Sequence, residues 1–362
     1  MRRHKPDYLI ISCVALLVLF GLVALGSASS YLGQNKFGNP NYYLNHQIFN
    51  GLLAGIVGFS AGYLIYYKRY QNFALSLLAL SVVGLVLVFT PLGFSAGGAE
   101  RWIKLGLVSF QPAEFLKLTF GIYMAAWLAR GSERARDFKK GFIPFMAVLG
   151  LIAVLLFKQP ATTTMVIIGA AALIVYFVSG ARPTYVLGTM AVGMAAIGAL
   201  VLLTPYRLER IVNFLKPEAE PLAGGYHITQ AKIAIGAGGI VGVGYGESTT
   251  KISYLPEPIG DSIFAVIAEE TGFLGSMALI LIFTVLVLKI FLLAKNTPDK
   301  FGRLILVSFG SVIGLQAFIN IAAISGLIPL TGVPLPFISF GGTALAVFMT
   351  MGGVIANISR HS

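Results

Sequence analysis

The chain has 362 residues, of which 57% are hydrophobic and 11% charged, with a mean hydropathy of +0.84. Soluble chains carry about 25% charged residues, so this deficit excludes an ordinary soluble domain and points to the membrane. The formal net charge is +12, but the basic residues lie in short loops with no interleaved aromatic patch, which excludes a nucleic-acid surface.

A helix needs about 20 apolar residues to cross a hydrocarbon core. Ten runs meet or approach that length, at 9–28, 46–66, 73–90, 114–128, 142–157, 163–179, 185–203, 262–293, 304–325 and 340–358. The expected fold is therefore an all-α integral membrane protein, a bundle of ten transmembrane helices forming a single domain over 1–362. The fourth to sixth runs are short and read as tilted or partly re-entrant. Arg2, Arg3 and Lys5 precede the first run, as in a signal peptide, but that run is too long for a cleaved segment and nine more follow. Cys13 is the single cysteine and lies in the first run, so no disulfide framework or cysteine metal site is expected. His4, His46, His227 and His361 are scattered, without the paired spacing of a zinc site. His227 reads as a loop residue.

Lysine and arginine in short loops set the orientation. With the N-terminus inside, sixteen fall on the cytoplasmic side and four, Lys36, Arg101, Lys104 and Lys158, in short outer loops. Ten spans return the C-terminus to the cytoplasm. The long segment 204–261, between the seventh and eighth spans, then faces outward.

Eight of the fourteen acidic residues fall between Glu209 and Glu270. Within this segment YHITQAKIAIGAGGI reads as a short interfacial helix, with Ile228, Ile235 and the alanines toward lipid. Gly236, Gly238, Gly239, Gly242, Gly244 and Gly246 follow, without the register or strand–helix context of a nucleotide-binding loop. Asp261 precedes the apolar part of the eighth run, which begins near Phe273; a straight helix would set it about 18 Å higher. Gly260, Asp261 and Ser262 also read as a helix cap.

Four segments resemble the SEDS family (shape, elongation, division and sporulation), whose members include RodA, FtsW and SpoVE. They are GAERWIKLGLVSFQPAEFLKL at 98–118, GAGGIVGVGYGESTTKISYLPE at 236–257, DSIFAVIAEETG at 261–272 and the stretch 320–360 ending in NISR. That ending is more like FtsW or SpoVE than RodA. The resemblance covers essentially the whole chain. It implies a peptidoglycan glycosyltransferase that polymerises lipid II into glycan strands outside the cytoplasmic membrane, beside a class B penicillin-binding protein. It implies that Asp261 is the essential aspartate. It also carries substrate- or diphosphate-binding roles to Arg101, Trp102, Glu114, Lys117, Ser248 and Lys251. The chain departs from the family at Ala161, where an aspartate is usual, and at Ala113, Ile259, Gly260 and Thr343.

Joining a sugar hydroxyl to an anomeric carbon, with undecaprenyl diphosphate leaving, needs one general base and cations for the leaving group. Asp261 suits the base, and Arg101, Lys117 and Lys251 suit the diphosphate. Against these stand plainer readings: Glu114 and Lys117 as a self-satisfied i,i+3 pair, Arg101 and Trp102 as interfacial anchors, and Lys251 as a solvated loop lysine. Glu269 and Glu270 are weak candidates to bind a divalent cation, Mg or Mn, or else mark the polar end of a helix. A lipid II flippase is the alternative function, motivated by the intramembrane Glu114 and Lys117.

Overall fold

The computed structural model describes residues 5–96, 99–106, 108–131, 133–215 and 225–362. Gly98, which opens the first motif, and Glu218 and Glu220 of the polar segment lie outside the described residues.

Each of the ten apolar runs coincides with a helix. They are α1 (Tyr8–Phe37), α2 (Tyr42–Leu64), α3 (Arg69–Leu87), α4 (Pro112–Ala129), α5 (Phe138–Lys158), α6 (Thr162–Val178) and α7 (Pro183–Leu202). Then α8 (Pro205–Leu215) and α9 (Tyr226–Ala237) lie in the polar segment, followed by α10 (Ile263–Asn296), α11 (Lys300–Ile324) and α12 (Gly342–His361). Among the described residues, eight helices are long and apolar enough to span a membrane. Two of the ten runs fall short of that mark: α6 has 17 residues, and α4 carries Glu114 and Lys117.

Local signals set the helix ends. The Asp7 carboxylate accepts from the N–H of Leu9 at 3.1 Å and of Ile10 at 3.4 Å, capping α1. Asp299 does the same for α11 through Gly302 N, at 2.9 Å. Prolines occupy the first turns of α4 and α7, where no N–H is missed.

The helices sort by burial. Buried positions make up 72% of the most apolar stretches of α11 and α12, but 11% of that of α7. The first pair thus forms the centre, with α4, and α7 lies on the rim. Small residues allow the central contacts. Gly55, Gly58 and Gly62 of α2 face Met349 and Thr350 of α12, and Gly353 faces the Phe59 backbone. A Cβ at any of these would strike its neighbour, which is how helices pack closely where lipid gives no hydrophobic drive.

A small sheet was not anticipated. Strands β1 (Gly93–Ala96), β2 (Ala99–Leu105) and β3 (Val108–Phe110) pair antiparallel in that order, with Phe94 opposite Trp102 and Ile103 opposite Phe110. It sits between α3 and α4 and carries Arg101.

Two expectations for the polar segment are corrected. Ile228, Ala231 and Ala234 of α9 are buried on the side packed against α10, Ile235 is half-buried, and Ile233 and Ala237 are exposed. The small alanines let α9 approach closely, so its apolar side serves the interior. The eighth run is also not one straight helix. Gly272 has φ 66° and ψ −163°, which breaks α10 in two. The rise estimated for Asp261 therefore does not hold, and residues 263–270, all buried, form a separate leading segment.

Candidate active site

The break at Gly272 explains the glycine-rich motif. A broken helix frees backbone groups that must find partners. Val243 N and Gly244 N donate to the carbonyls of Glu269 and Glu270 at 3.0 and 3.1 Å. Phe273 N and Leu274 N donate to Gly239 O and Ile240 O at 2.9 and 3.1 Å. The contact is backbone on backbone, so a Cβ at Gly242 or Gly272 would collide with the opposite chain.

Side chains fasten the same loop. Glu269 accepts from Ser248 Oγ at 2.6 Å, from Thr249 N at 3.1 Å and from the Thr250 hydroxyl. Lys251 Nζ donates to Glu270 Oε1 at 2.6 Å and to Ser27 Oγ and Gly246 O, each at 2.8 Å. All of these side chains but Thr249 are buried. Ser248 and Lys251 thus point into a clasp between the loop, α10 and α1. Lys251 is not the solvated lysine of the plainer reading. Glu269 and Glu270 are committed to hydroxyls, amides and an ammonium, which does not fit a role as cation ligands. Among the described residues no group of three or more His, Cys, Asp or Glu is placed to hold a metal ion.

Glu114 and Lys117 form the other buried pair, at 2.6 Å, and Lys117 Nζ also donates to Gln316 Oε1 at 2.6 Å. They lie in the interior between α4 and α11, and neither lines the cavity described next. The pair of the plainer reading is present, with Gln316 as an added partner, but Glu114 Oε2 is buried without a hydrogen-bond partner.

Asp261 sits on a tight turn entering α10. The Glu257 carbonyl, at a residue of φ 47°, accepts from Gly260 N at 3.0 Å and Ser262 N at 3.3 Å. Phe340 N donates to Ile259 O at 2.9 Å, and Ser339 Oγ to Gly260 O at 2.7 Å. Asn320 Nδ2 donates to Asp261 O at 2.8 Å and Val333 O at 2.7 Å. The backbone is thereby fixed, while the carboxyl oxygen Oδ1 is buried and has no hydrogen-bond partner. Burial and the Glu257 charge push the carboxyl up to about 6, against the pull of nearby backbone N–H groups and Arg210. Ser262, at the cap position of α10, makes no side-chain cap bond, and Asp261 is one residue further out, so the cap reading is not realised.

Beside this turn lies a cavity of about 580 Å³. Its walls include Thr162, Thr163 and Thr164, the strip 328–333, and three arginines, Arg101, Arg207 and Arg210. Gly332, in that strip, faces Asp261; a Cβ there would stand 3.8 Å from Asp261 Oδ2. Arg101 Nε donates to Gln159 O at 3.0 Å, and its terminal nitrogen to Pro160 O at 2.6 Å. Arg207 reaches the hydroxyls of Thr162 and Thr204 at 3.2 and 2.9 Å. Arg210 donates to Leu330 O at 3.3 Å. Ala161 lines the cavity too, beside these guanidiniums. Trp102, next to Arg101 on β2, is not among the lining residues, as strand alternation requires.

Of the residues proposed from sequence, the structure puts Arg101 in the cavity wall, sets Asp261 behind Gly332 beside it, and sends Ser248, Lys251, Glu114 and Lys117 elsewhere. Arg207, Arg210 and Asn320 were missed. Arg207 and Arg210 had a signal: an i,i+3 arginine pair on an amphipathic helix inside the acidic segment.

The chain resembles known proteins along its length. It is 34% identical over 365 residues to "Stage V sporulation protein E" of Bacillus subtilis, covering 100% of this chain and 99% of that one. It is 37% identical over 359 residues to "Probable peptidoglycan glycosyltransferase FtsW" of Trichlorobacter lovleyi, covering 99% and 94%. A solved structure, described as structural coordination of polymerization and crosslinking by a peptidoglycan synthase complex, superposes with TM-score 0.80 at 27% identity, covering 98% of each chain. Residues 7–362 match the FtsW/RodA/SpoVE family, described as cell cycle proteins, and the chain therefore belongs to that family.

Proposed function

We infer that the chain is a peptidoglycan glycosyltransferase that polymerises lipid II, with Asp261 as general base. One observation carries the reading: a carboxyl with an unpartnered buried oxygen stands beside a cavity walled by three arginines. Glycan polymerisation needs that pairing. The base takes the proton of the attacking 4-hydroxyl. Arg101, Arg207 and Arg210 bind the diphosphate as it departs, through forked donors that suit phosphate oxygens. No second acid is needed, because a diphosphate leaves without protonation.

The sixteen-to-four count of basic residues supports an outward cavity, at the outer face of the bacterial cytoplasmic membrane, with both termini cytoplasmic. A class B penicillin-binding protein is the proposed partner, supported by the likeness to a complex that couples polymerization to crosslinking. The flippase alternative is less well supported, since Lys117 is held by Glu114 and Gln316 in the interior and neither charge lines the cavity.

The test is polymerisation of lipid II by the purified chain, alone and with a class B penicillin-binding protein. Glycan strands are expected from the parent and not from Asp261→Ala. Strands from both at one rate would overturn the assignment of Asp261, and lipid II crossing a bilayer without polymer would favour the transporter.

A further inference from the structure

The polar contacts to the Asp261 turn from α11 and the strip before α12 all hold backbone atoms. One contact from α9 is different. His227 Nε2 lies 2.6 Å from Ser262 Oγ, a fully buried hydroxyl on the residue next to Asp261. His227 is the second residue of α9, and α9 is anchored on α10 through Ile228, Ala231 and Ala234. The imidazole is therefore carried to the turn by a packed helix rather than by a loop.

The ring is neutral at working pH. Burial, and then the Arg210 charge, push it down to about 4. Arg210 and Glu257 are the charged groups that act on Asp261. In the tautomer with hydrogen on Nδ1, His227 Nε2 accepts a hydrogen bond from Ser262 Oγ. That direction matters because of what the hydroxyl would otherwise do. Serine hydroxyls readily bond to nearby groups of their own chain, and Asp261 Oδ1 is a buried acceptor without a partner. A hydrogen bond to the ionised form makes a carboxylate a weaker base.

We propose that His227 is a positioning residue for Asp261: its imidazole holds the Ser262 hydroxyl away from the neighbouring carboxylate and fixes the turn that aims it. The proposal rests on the reading of Asp261 as general base. His227 touches no reacting atom in this scheme.

The experiment compares the parent with His227→Gln, His227→Leu, the pair His227→Leu/Ser262→Ala, and Asp261→Ala. Two readouts are taken. One is lipid II polymerisation, resolved into kcat and KM. The other is the pH midpoint of carbodiimide labelling at Asp261, read by mass spectrometry, which follows the protonated carboxyl without turnover. His227→Leu is expected to lower kcat about tenfold or more, with KM changed less than about twofold, as for a misaimed group. Its labelling midpoint should fall, and the added Ser262→Ala should bring the midpoint back. His227→Gln, which can still bond the hydroxyl, should keep kcat within about threefold. Four results would each overturn the proposal: parent-like kcat and midpoint in His227→Leu, a loss carried by KM, a midpoint that Ser262→Ala does not restore, or damage in His227→Gln equal to that in His227→Leu. If Asp261→Ala polymerises like the parent while the midpoints shift as expected, the base assignment fails and the His227–Ser262 coupling stands.

Discussion

The Asp261 carboxyl titrates near 6 because burial and Glu257 both oppose its charge. A general base works only when deprotonated, so polymerisation should fall as pH drops through about 6. Arg210 pulls this value down. Arg210→Ala should therefore move the acid limb of the pH–rate profile upward, besides weakening diphosphate binding. Stability carries the opposite sign. A carboxyl raised from 3.8 to about 6 binds its proton more tightly when folded. It favours the folded state below about pH 4, and that contribution is lost as pH rises through about 6. Asp261→Asn cannot ionise, so at pH 8 it should be more stable than the parent by on the order of 2 kcal/mol, discounted for partial exposure. Below about pH 4 the difference should vanish, as thermal unfolding in detergent would show. A dead enzyme that gains stability is what an activity-driven carboxylate predicts.

At the level of elements, the clasp with the glycine-rich loop depends on the break in α10. Gly272 combines φ 66° with backbone neighbours where a Cβ would lie. Gly272→Ala should cost about 1–3 kcal/mol in strain alone and lower the thermal midpoint. The clasp makes a second prediction. Removing one partner of a buried ion pair costs about 3–5 kcal/mol, whereas removing both is far milder. Glu270→Gln should therefore destabilise strongly, and Lys251→Met added to it should recover much of the loss. If Lys251 serves the clasp and not the diphosphate, that double variant keeps lipid II polymerisation within about threefold of the parent. A hundredfold loss in a folded double variant would return Lys251 to the substrate.

Across the whole molecule, the ten bundle helices were legible because each coincides with an apolar run, whereas the short amphipathic α8 was not. Residue chemistry at the site was only partly so. Asp261 and Arg101 were singled out by the family resemblance, since Asp261 is one of eight acidic residues between Glu209 and Glu270 and spacing alone does not pick it out. The resemblance gave Ser248 and Lys251 substrate-binding roles, but sequence does not show that Glu269 and Glu270 fold back onto them. The break at Gly272 was hidden for a related reason. Glycine within an apolar run is common, and only the facing loop of Gly239–Gly244 backbone makes a kink there favourable. The strands β1–β3 are too short and polar to register. Arg207 and Arg210 sit in the segment whose charges the orientation rule does not count.

The central claim is that the carboxylate at 261 removes the sugar proton while arginines hold the diphosphate. It is tested most directly by the lipid II polymerisation rate of Asp261→Asn near neutral pH, in protein shown to be folded. The account predicts a fall of about a hundredfold or more, since one base typically contributes 10²–10⁴-fold. A rate within about twofold of the parent would contradict it.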